Sequence, residues 1–109
     1  MYEVKAIIRP EMLDSVIRRL HSIERLPGVT TFPVHGYGRR ALDSSTNEEY
    51  GEVRMVQCEL VVPKDFVEPV LQAINSAAGT GRPGDGKIFV TGVDRAAKIG
   101  SGKVDAEAL

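Results

Sequence analysis

The chain has 109 residues, a length that suits one domain and leaves no room for a second. Its 14 Lys and Arg residues nearly balance 15 Asp and Glu residues, and the net charge is −1. Without a strong positive field, and with no Trp among its few aromatic residues, the sequence disfavours a nucleic-acid-binding protein.

Cysteine content and hydropathy indicate the compartment. Cys58 is the only cysteine, which excludes an internal disulfide and fits a reducing environment. No apolar run is long enough to span a bilayer, and residues 1–5 lack the pattern of a signal peptide. We therefore expect a soluble protein of the cytoplasm.

The first half of the chain predicts a strand, a helix and a second strand. Residues 2–8 are β-prone and partly alternating, as is typical of a strand. Pro10 opens a helix whose apolar residues recur at steps of three and four until Pro27 and Gly28 end it. Residues 30–37 predict the next strand, where Pro33 indicates a sheet edge or a bulge.

The second half predicts the same order of elements. A third strand runs from about residue 54 to 62, and Pro63 leads into an amphipathic helix over 66–78. Residues 87–93 predict a fourth strand, and we expect residues 94–109 to form a tail that is less ordered unless something binds it.

This order predicts an α+β fold of the ferredoxin-like βαββαβ type. Four antiparallel strands would form one sheet, with both helices on one face. Val, Ile and Leu occur at both odd and even positions of the first and third strands, so apolar side chains lie on both faces of the sheet. We therefore expect other subunits to bury the second face.

Residues 38–53 are the longest predicted loop, and they are mostly polar. Loops beyond about 12–15 residues are uncommon in compact domains and are usually functional or disordered. We favour a protruding loop that a ligand orders or a partner binds over a merely flexible hairpin.

Residues 80–87 (Thr-Gly-Arg-Pro-Gly-Asp-Gly-Lys) carry the densest chemical signal. Their glycines can align backbone N–H groups around an anion, and Lys87 adds a charge. The spacing matches a Walker A loop, but Ile88 replaces the magnesium-binding Ser or Thr, and a strand follows instead of a helix. A plain helix-to-strand turn is the alternative.

A second Gly-rich segment, residues 36–40 (Gly-Tyr-Gly-Arg-Arg), stands at the end of the second strand. Its glycines permit close approach of a ligand, and Arg39 can pair with phosphate. Since both Gly-rich segments border the long loop, together they predict a nucleotide site. Taken by itself, the second segment could equally be an ordinary solvent-exposed stretch at the base of the loop.

The sequence offers no catalytic or metal-binding constellation. His21, His35 and Cys58 do not have a recognisable metal-ligand spacing. No Ser/His/Asp, Cys/His or paired-carboxylate arrangement can be assembled, so we expect no catalytic residue and no enzyme.

Nearly the whole chain resembles the PII family of trimeric signal-transduction proteins. The resemblance is most specific in the Gly-rich loop, and it is carried by residues 6–10, 36–39, 49–50, 59–63 and 80–90. It implies a homotrimer that holds ATP or ADP in clefts between subunits, with Mg²⁺ as an optional companion of ATP.

The resemblance also implies the residues of that cleft. The adenine base would lie near Ile7, Thr30 and Val61. The phosphates would meet Gly38, Arg39, Gly84, Gly86 and Lys87. Further nucleotide contacts would come from Gly36, Arg40, Asp85 and Lys98.

One PII-like domain would span residues 1–109, with a phosphate-binding loop at 79–87 and a C-terminal tail at 94–109. Residues 38–53 correspond to the family's T-loop, which changes conformation with the bound ligand and docks on target proteins. Tyr50 falls near the family's uridylylated tyrosine and is a candidate modification site in an otherwise changed loop.

Three positions depart from the family pattern. Arg40 replaces a Gln, and Met55 stands where a Lys pairs with 2-oxoglutarate. A thioether cannot replace an ammonium opposite a dicarboxylate, so we expect little or no 2-oxoglutarate response. Gly100 replaces one of two basic residues that reach phosphates across the subunit boundary, which predicts weaker ATP binding than in a full family member.

The leading hypothesis is an adenine-nucleotide sensor that regulates a membrane transporter or a metabolic enzyme through residues 38–53. The alternative is a sensor on the same fold that responds to bicarbonate, a cyclic nucleotide or a metal. A slow ATPase is the third hypothesis, and it lacks a clear water-activating base.

Overall fold

The computed structural model describes residues 1–40 and 49–109. One antiparallel sheet has the strand order β2-β3-β1-β4. Its strands are β1 (Tyr2–Ile8), β2 (Thr30–Arg40), β3 (Glu49–Val62) and β4 (Gly86–Gly92). The helices are α1 (Leu13–His21) and α2 (Val67–Ala78). The predicted ferredoxin-like fold is confirmed.

A proline lies at the start of the first helical segment and directly before the second. Pro10 is the first residue of a 3₁₀ turn that leads into α1, and Pro63 precedes the matching turn before α2. A proline costs nothing there because its missing N–H would have no helical partner. Among the described residues, no helix combines the length and apolar character needed to cross a bilayer.

The core lies between the helices and one face of the sheet. In β1 the buried residues alternate along the strand, as the side-chain period of two requires. The fully or almost fully buried side chains from both layers include Val4, Ile8, Val16, Leu20, Val62, Val70 and Ile74. Each contributes about 1.5–3 kcal/mol through burial. Cys58 belongs to this core, and burial raises the pKa of its thiol.

The opposite face of the sheet is open in the isolated chain. Phe89 pairs with Lys5 and is 50% exposed, and Phe32 pairs with Gln57 and is 39% exposed. Ile7 lies between Gln57 and Lys87 on the same face. Apolar side chains therefore occur on both faces, as expected, and their burial by other subunits stays a prediction.

The two strands beside the long loop extend farther than expected. β2 continues to Arg40 and β3 begins at Glu49, so both ends of the segment predicted as a loop over 38–53 are paired backbone. The reason is that hydrogen bonds between the two strands satisfy the backbone N–H and C=O groups whatever the side chains are. A polar composition therefore does not show whether the backbone of a segment is paired. Residues 41–48 of this segment lie outside the described residues.

The C-terminal tail is folded, so the expectation of low order was wrong. Ala97 and Val104 form an antiparallel bridge, and the carboxylate of Asp105 accepts hydrogen bonds from Ala96 N (3.2 Å) and Arg95 Nε (3.0 Å). These two hydrogen bonds lower the pKa of Asp105. Local polar contacts therefore stabilise a small hairpin in which Ile99 and Val104 stay exposed.

Candidate functional site

Three glycines with positive φ turn the chain between α2 and β4. The φ angles are +80° at Gly81, +92° at Gly84 and +113° at Gly86. Residues with a side chain rarely adopt this backbone, so the glycines allow a loop whose N–H groups are not committed to a helix. The loop enters a strand, as expected, and so differs from a Walker A loop.

Asp85 fixes the shape of this loop from within. Its Oδ2 accepts hydrogen bonds from Thr80 N (2.7 Å) and Gly81 N (3.0 Å), and its Oδ1 accepts one from Thr80 Oγ1 (2.5 Å). Asp85 is a predicted nucleotide contact, but its carboxylate faces the loop itself. A contact with phosphate would have to come from its backbone, because a second anion would repel the carboxylate.

Asp85 should make the stability of the protein depend on pH in acid. Hydrogen bonds from the Thr80 hydroxyl and N–H, then that from Gly81 and the charge of Arg9, lower the pKa of Asp85 from its ordinary 3.8. The folded state thus binds this proton less tightly than the unfolded state. The stabilisation is complete above the ordinary pKa and is lost as the pH falls through the lowered value.

Asp85→Asn should therefore be less stable than the wild type at neutral pH, and the difference should shrink below about pH 4. Urea unfolding at several pH values would measure it. The exposed carboxylate of Asp94 provides the control, since Asp94→Asn should show no such convergence. A difference between wild type and Asp85→Asn that stays constant down to pH 3 would contradict this assignment.

Arg9 is a site residue that sequence reasoning missed. It directly follows β1, and its side chain is 18% exposed. Its guanidinium donates to Thr80 Oγ1 (3.1 Å), Asp85 Oδ1 (2.7 Å) and Pro83 O (2.7 Å). These partners are more than 70 residues away along the chain, so spacing within the sequence could not reveal them.

The sheet register places Lys87 beside the end of β1. Ile7 pairs with Lys87, and Ile8 pairs with Gly86. Lys87 is exposed, and none of the ion pairs among the described residues involves it. One chain therefore brings together the predicted contacts Ile7, Gly84, Gly86 and Lys87, with a cation available to an anionic ligand.

A cavity of about 270 Å³ lies between this loop, the end of β1 and the end of α2. Its lining includes Ile8, Ile74, Ala78, Asp85 and Gly86. Ligand pockets for drug-sized molecules usually start at about 300 Å³. The cavity of the isolated chain is thus slightly small for a nucleotide.

The second Gly-rich segment lies in the edge strand. Gly36 pairs with Val53 and Gly38 with Gly51, and a Cβ at Gly38 would meet nothing within 4 Å. The space above this backbone is open to a ligand. Arg39 and Arg40 pair through their backbones with Tyr50 and Glu49, and the side chains of these four lie outside the described part of the chain.

Other predicted contacts lie away from the loop within one chain. Val61 pairs with Glu3, four residues along β1 from Ile7, or about 13 Å. Thr30 lies in the edge strand, two strands from β1. Lys98 comes after the far end of β4, a strand about 20 Å long. The N–H of Lys98 donates to Lys103 O (2.9 Å) in the tail hairpin. A single chain does not gather all of the predicted residues.

The histidines do not form a metal site within the described residues. Nδ1 of His35 contacts Oε1 of Glu52 across β2 and β3, on an exposed surface. No group of three or more His, Cys, Asp or Glu side chains among residues 1–38 and 51–109 is arranged to hold a metal ion.

Known proteins resemble this chain over its whole length. The family model "Nitrogen regulatory protein P-II" matches residues 1–103. The nitrogen regulatory protein P-II of Rhodospirillum rubrum is 38% identical over 113 aligned positions that cover all of both chains. That of Rhizobium etli is 37% identical over 110 positions that cover 97% of each.

Solved structures agree with the sequence match. Bacillus subtilis GlnK has a TM-score of 0.86 and 28% identity, covering 99% of this chain and 97% of its own. GlnK in complex with ATP has a TM-score of 0.86 and 30% identity, covering 99% and 94%. The chain belongs to the nitrogen regulatory protein P-II family, a family of signalling regulators.

Proposed function

We propose that this protein binds ATP or ADP and signals the nucleotide state to a partner protein. The observation that carries the proposal is the loop over residues 79–87. Three of its four glycines have positive φ, Asp85 fixes its shape from within, and it opens beside the exposed Lys87, which forms no ion pair among the described residues. Backbone N–H groups and one ammonium can hold phosphate although the protein has no net positive charge.

The nucleotide site is completed by a second copy of the chain in a homotrimer. Ile7, Gly86 and Lys87 lie together, whereas Thr30, Val61 and Lys98 lie away from them. A neighbouring subunit packed on the open sheet face would cover its exposed phenylalanines and could supply the second group. The small cavity of the single chain also supports a shared cleft.

Mg²⁺ would be held by the nucleotide rather than by the loop. The Gly-rich loop contains one carboxylate, that of Asp85, and it already accepts hydrogen bonds from the loop and from Arg9. Mg²⁺ takes oxygen ligands, keeps several waters and is often bound through substrate phosphates. It would therefore follow ATP into the site.

Signalling would proceed through the hairpin of β2 and β3. Gly36 and Gly38 lie at its base, and the strands continue beyond them toward residues 41–48. ATP and ADP can change partner binding only if they differ in affinity for two conformations of this segment. The partner would be a membrane transporter or a metabolic enzyme, and the protein would act by binding instead of turnover.

Calorimetric titration with ATP and with ADP, each with and without Mg²⁺ and 2-oxoglutarate, tests the proposal. We expect both nucleotides to bind and 2-oxoglutarate to leave the affinity for ATP unchanged. The partly buried Met55, which pairs with Val34, offers no charge to a dicarboxylate.

Tighter ATP binding in the presence of 2-oxoglutarate would show that Met55 does not prevent conventional 2-oxoglutarate sensing. Absence of any nucleotide binding would overturn the proposal. The same titration with bicarbonate, a cyclic nucleotide or a metal ion would then test the alternative sensor.

A further inference from the structure

A single guanidinium joins the end of β1 to the Gly-rich loop at three points. Arg9 donates to Thr80 Oγ1 at the start of the loop, to Pro83 O in its middle and to Asp85 Oδ1 near its end. Two of these distances are 2.7 Å, as expected when a charged donor takes part. Residues on both sides of Gly81 and Gly84 are thereby held by one side chain.

The loop needs such a constraint in order to bind an anion tightly. Glycine loses more conformational freedom on ordering than any other residue, and this loop contains three. If the loop were ordered only when the ligand arrived, that entropy would be subtracted from the binding free energy. The N–H groups of Thr80, Gly81 and Arg82 already donate within the loop. A loop fixed in advance keeps its remaining N–H groups aligned at no further cost.

The observed contacts of Arg9 lie within the loop. Three of its five N–H donors are directed at acceptors of the loop, and the carboxylate of Asp85 balances its charge. Lys87 differs, because it is exposed and none of the ion pairs among the described residues includes it. The two cations therefore have separate tasks.

We propose that Arg9 is a positioning residue that holds residues 80–85 in the anion-binding conformation without contacting the nucleotide. The inference rests on the proposed nucleotide function. It assigns to Arg9 a contribution to phosphate affinity that acts through loop order rather than through attraction of charge.

The test compares Arg9→Gln, Arg9→Lys and the control Arg18→Gln, which removes an exposed charge from α1. Amide exchange over residues 79–87 of the nucleotide-free trimer and calorimetry with ATP and tripolyphosphate are the readouts. Arg9→Gln should speed the exchange and weaken both ligands roughly 3- to 10-fold, the range of one lost hydrogen bond. Arg9→Lys should restore part of the loop order and part of the affinity, because an ammonium keeps the positive charge but lacks the planar set of N–H donors of a guanidinium.

A double-mutant cycle separates this role from a general loss of stability. If Arg9 acts through Asp85, the combined Arg9→Gln and Asp85→Asn changes should weaken tripolyphosphate binding by less than the product of the two single effects. Fully multiplicative effects would overturn the inference.

Two further outcomes would overturn it. Exchange over residues 79–87 that is unchanged in Arg9→Gln would show that Arg9 does not order the loop. Faster exchange with unchanged tripolyphosphate affinity would show that this order does not matter for anions. Wild-type protein that binds tripolyphosphate but neither ATP nor ADP would instead overturn the proposed function, while the Arg9 comparison with tripolyphosphate would still decide the inference.

Discussion

Gly86→Ala should destabilise the fold by about 2–6 kcal/mol, the sum of backbone strain and overpacking. A Cβ at this position would lie 1.8 Å from Ile7 O and 2.9 Å from Ile7 C, and φ is +113°. Both obstacles are backbone atoms of β1, so no side-chain rotation can relieve them. The start of β4 would have to separate from β1, and the Gly-rich loop would move with it.

Gly92→Ala is the matched control at the other end of the same strand. A Cβ there would meet nothing within 4 Å, and φ at Gly92 is not positive. This variant should stay within about 1 kcal/mol of the wild type in urea unfolding, in line with an ordinary surface substitution. Equal effects of the two substitutions would contradict the role of the contact with Ile7.

Lys87→Ala should weaken ATP and ADP by about 1.5–3 kcal/mol, the range for a hydrogen bond to a charged group, or roughly 10- to 150-fold. The side chain is exposed, and none of the ion pairs among the described residues includes it, so its removal should leave the fold unchanged. Calorimetry measures the affinity, and sedimentation checks that the oligomeric state is kept.

Lys64→Ala removes an exposed lysine from the turn before α2 and should leave both affinities as they are. This control separates a specific contact from a change in overall charge. Unchanged nucleotide affinity in Lys87→Ala would show that the site does not use this residue and would remove it from the proposed contacts.

Local signals determined the order of elements. The observed β1 has the bounds predicted from its β-prone residues, and α2 follows the apolar spacing that starts near Phe66. Both features depend on neighbours within one or two turns of chain. The lengths of β2 and β3 depended instead on pairing between distant segments, which is why the strands at the long loop were predicted too short.

The tail shows the same limit. Its composition predicted little order, yet Asp105 accepts hydrogen bonds from residues nine and ten positions earlier and closes a hairpin. Such contacts need a specific turn geometry, in which Gly100 and Gly102 adopt positive φ. Composition reports the presence of these residues but not the hydrogen bonds that they permit.

The sequence by itself determined the fold class, the family resemblance and the Gly-rich loop as the place to look for an anion. Only the tertiary structure decided what the residues of that loop do. It directs the carboxylate of Asp85 inward, brings Arg9 to three acceptors and leaves Lys87 open beside Ile7. The physical reason is that the hydrogen bonds of Arg9 and the pairing of Ile7 with Lys87 join segments more than 70 residues apart, which only the folded chain brings together. The hydrogen bonds of Asp85 are local, but they depend on a turn geometry that composition does not specify.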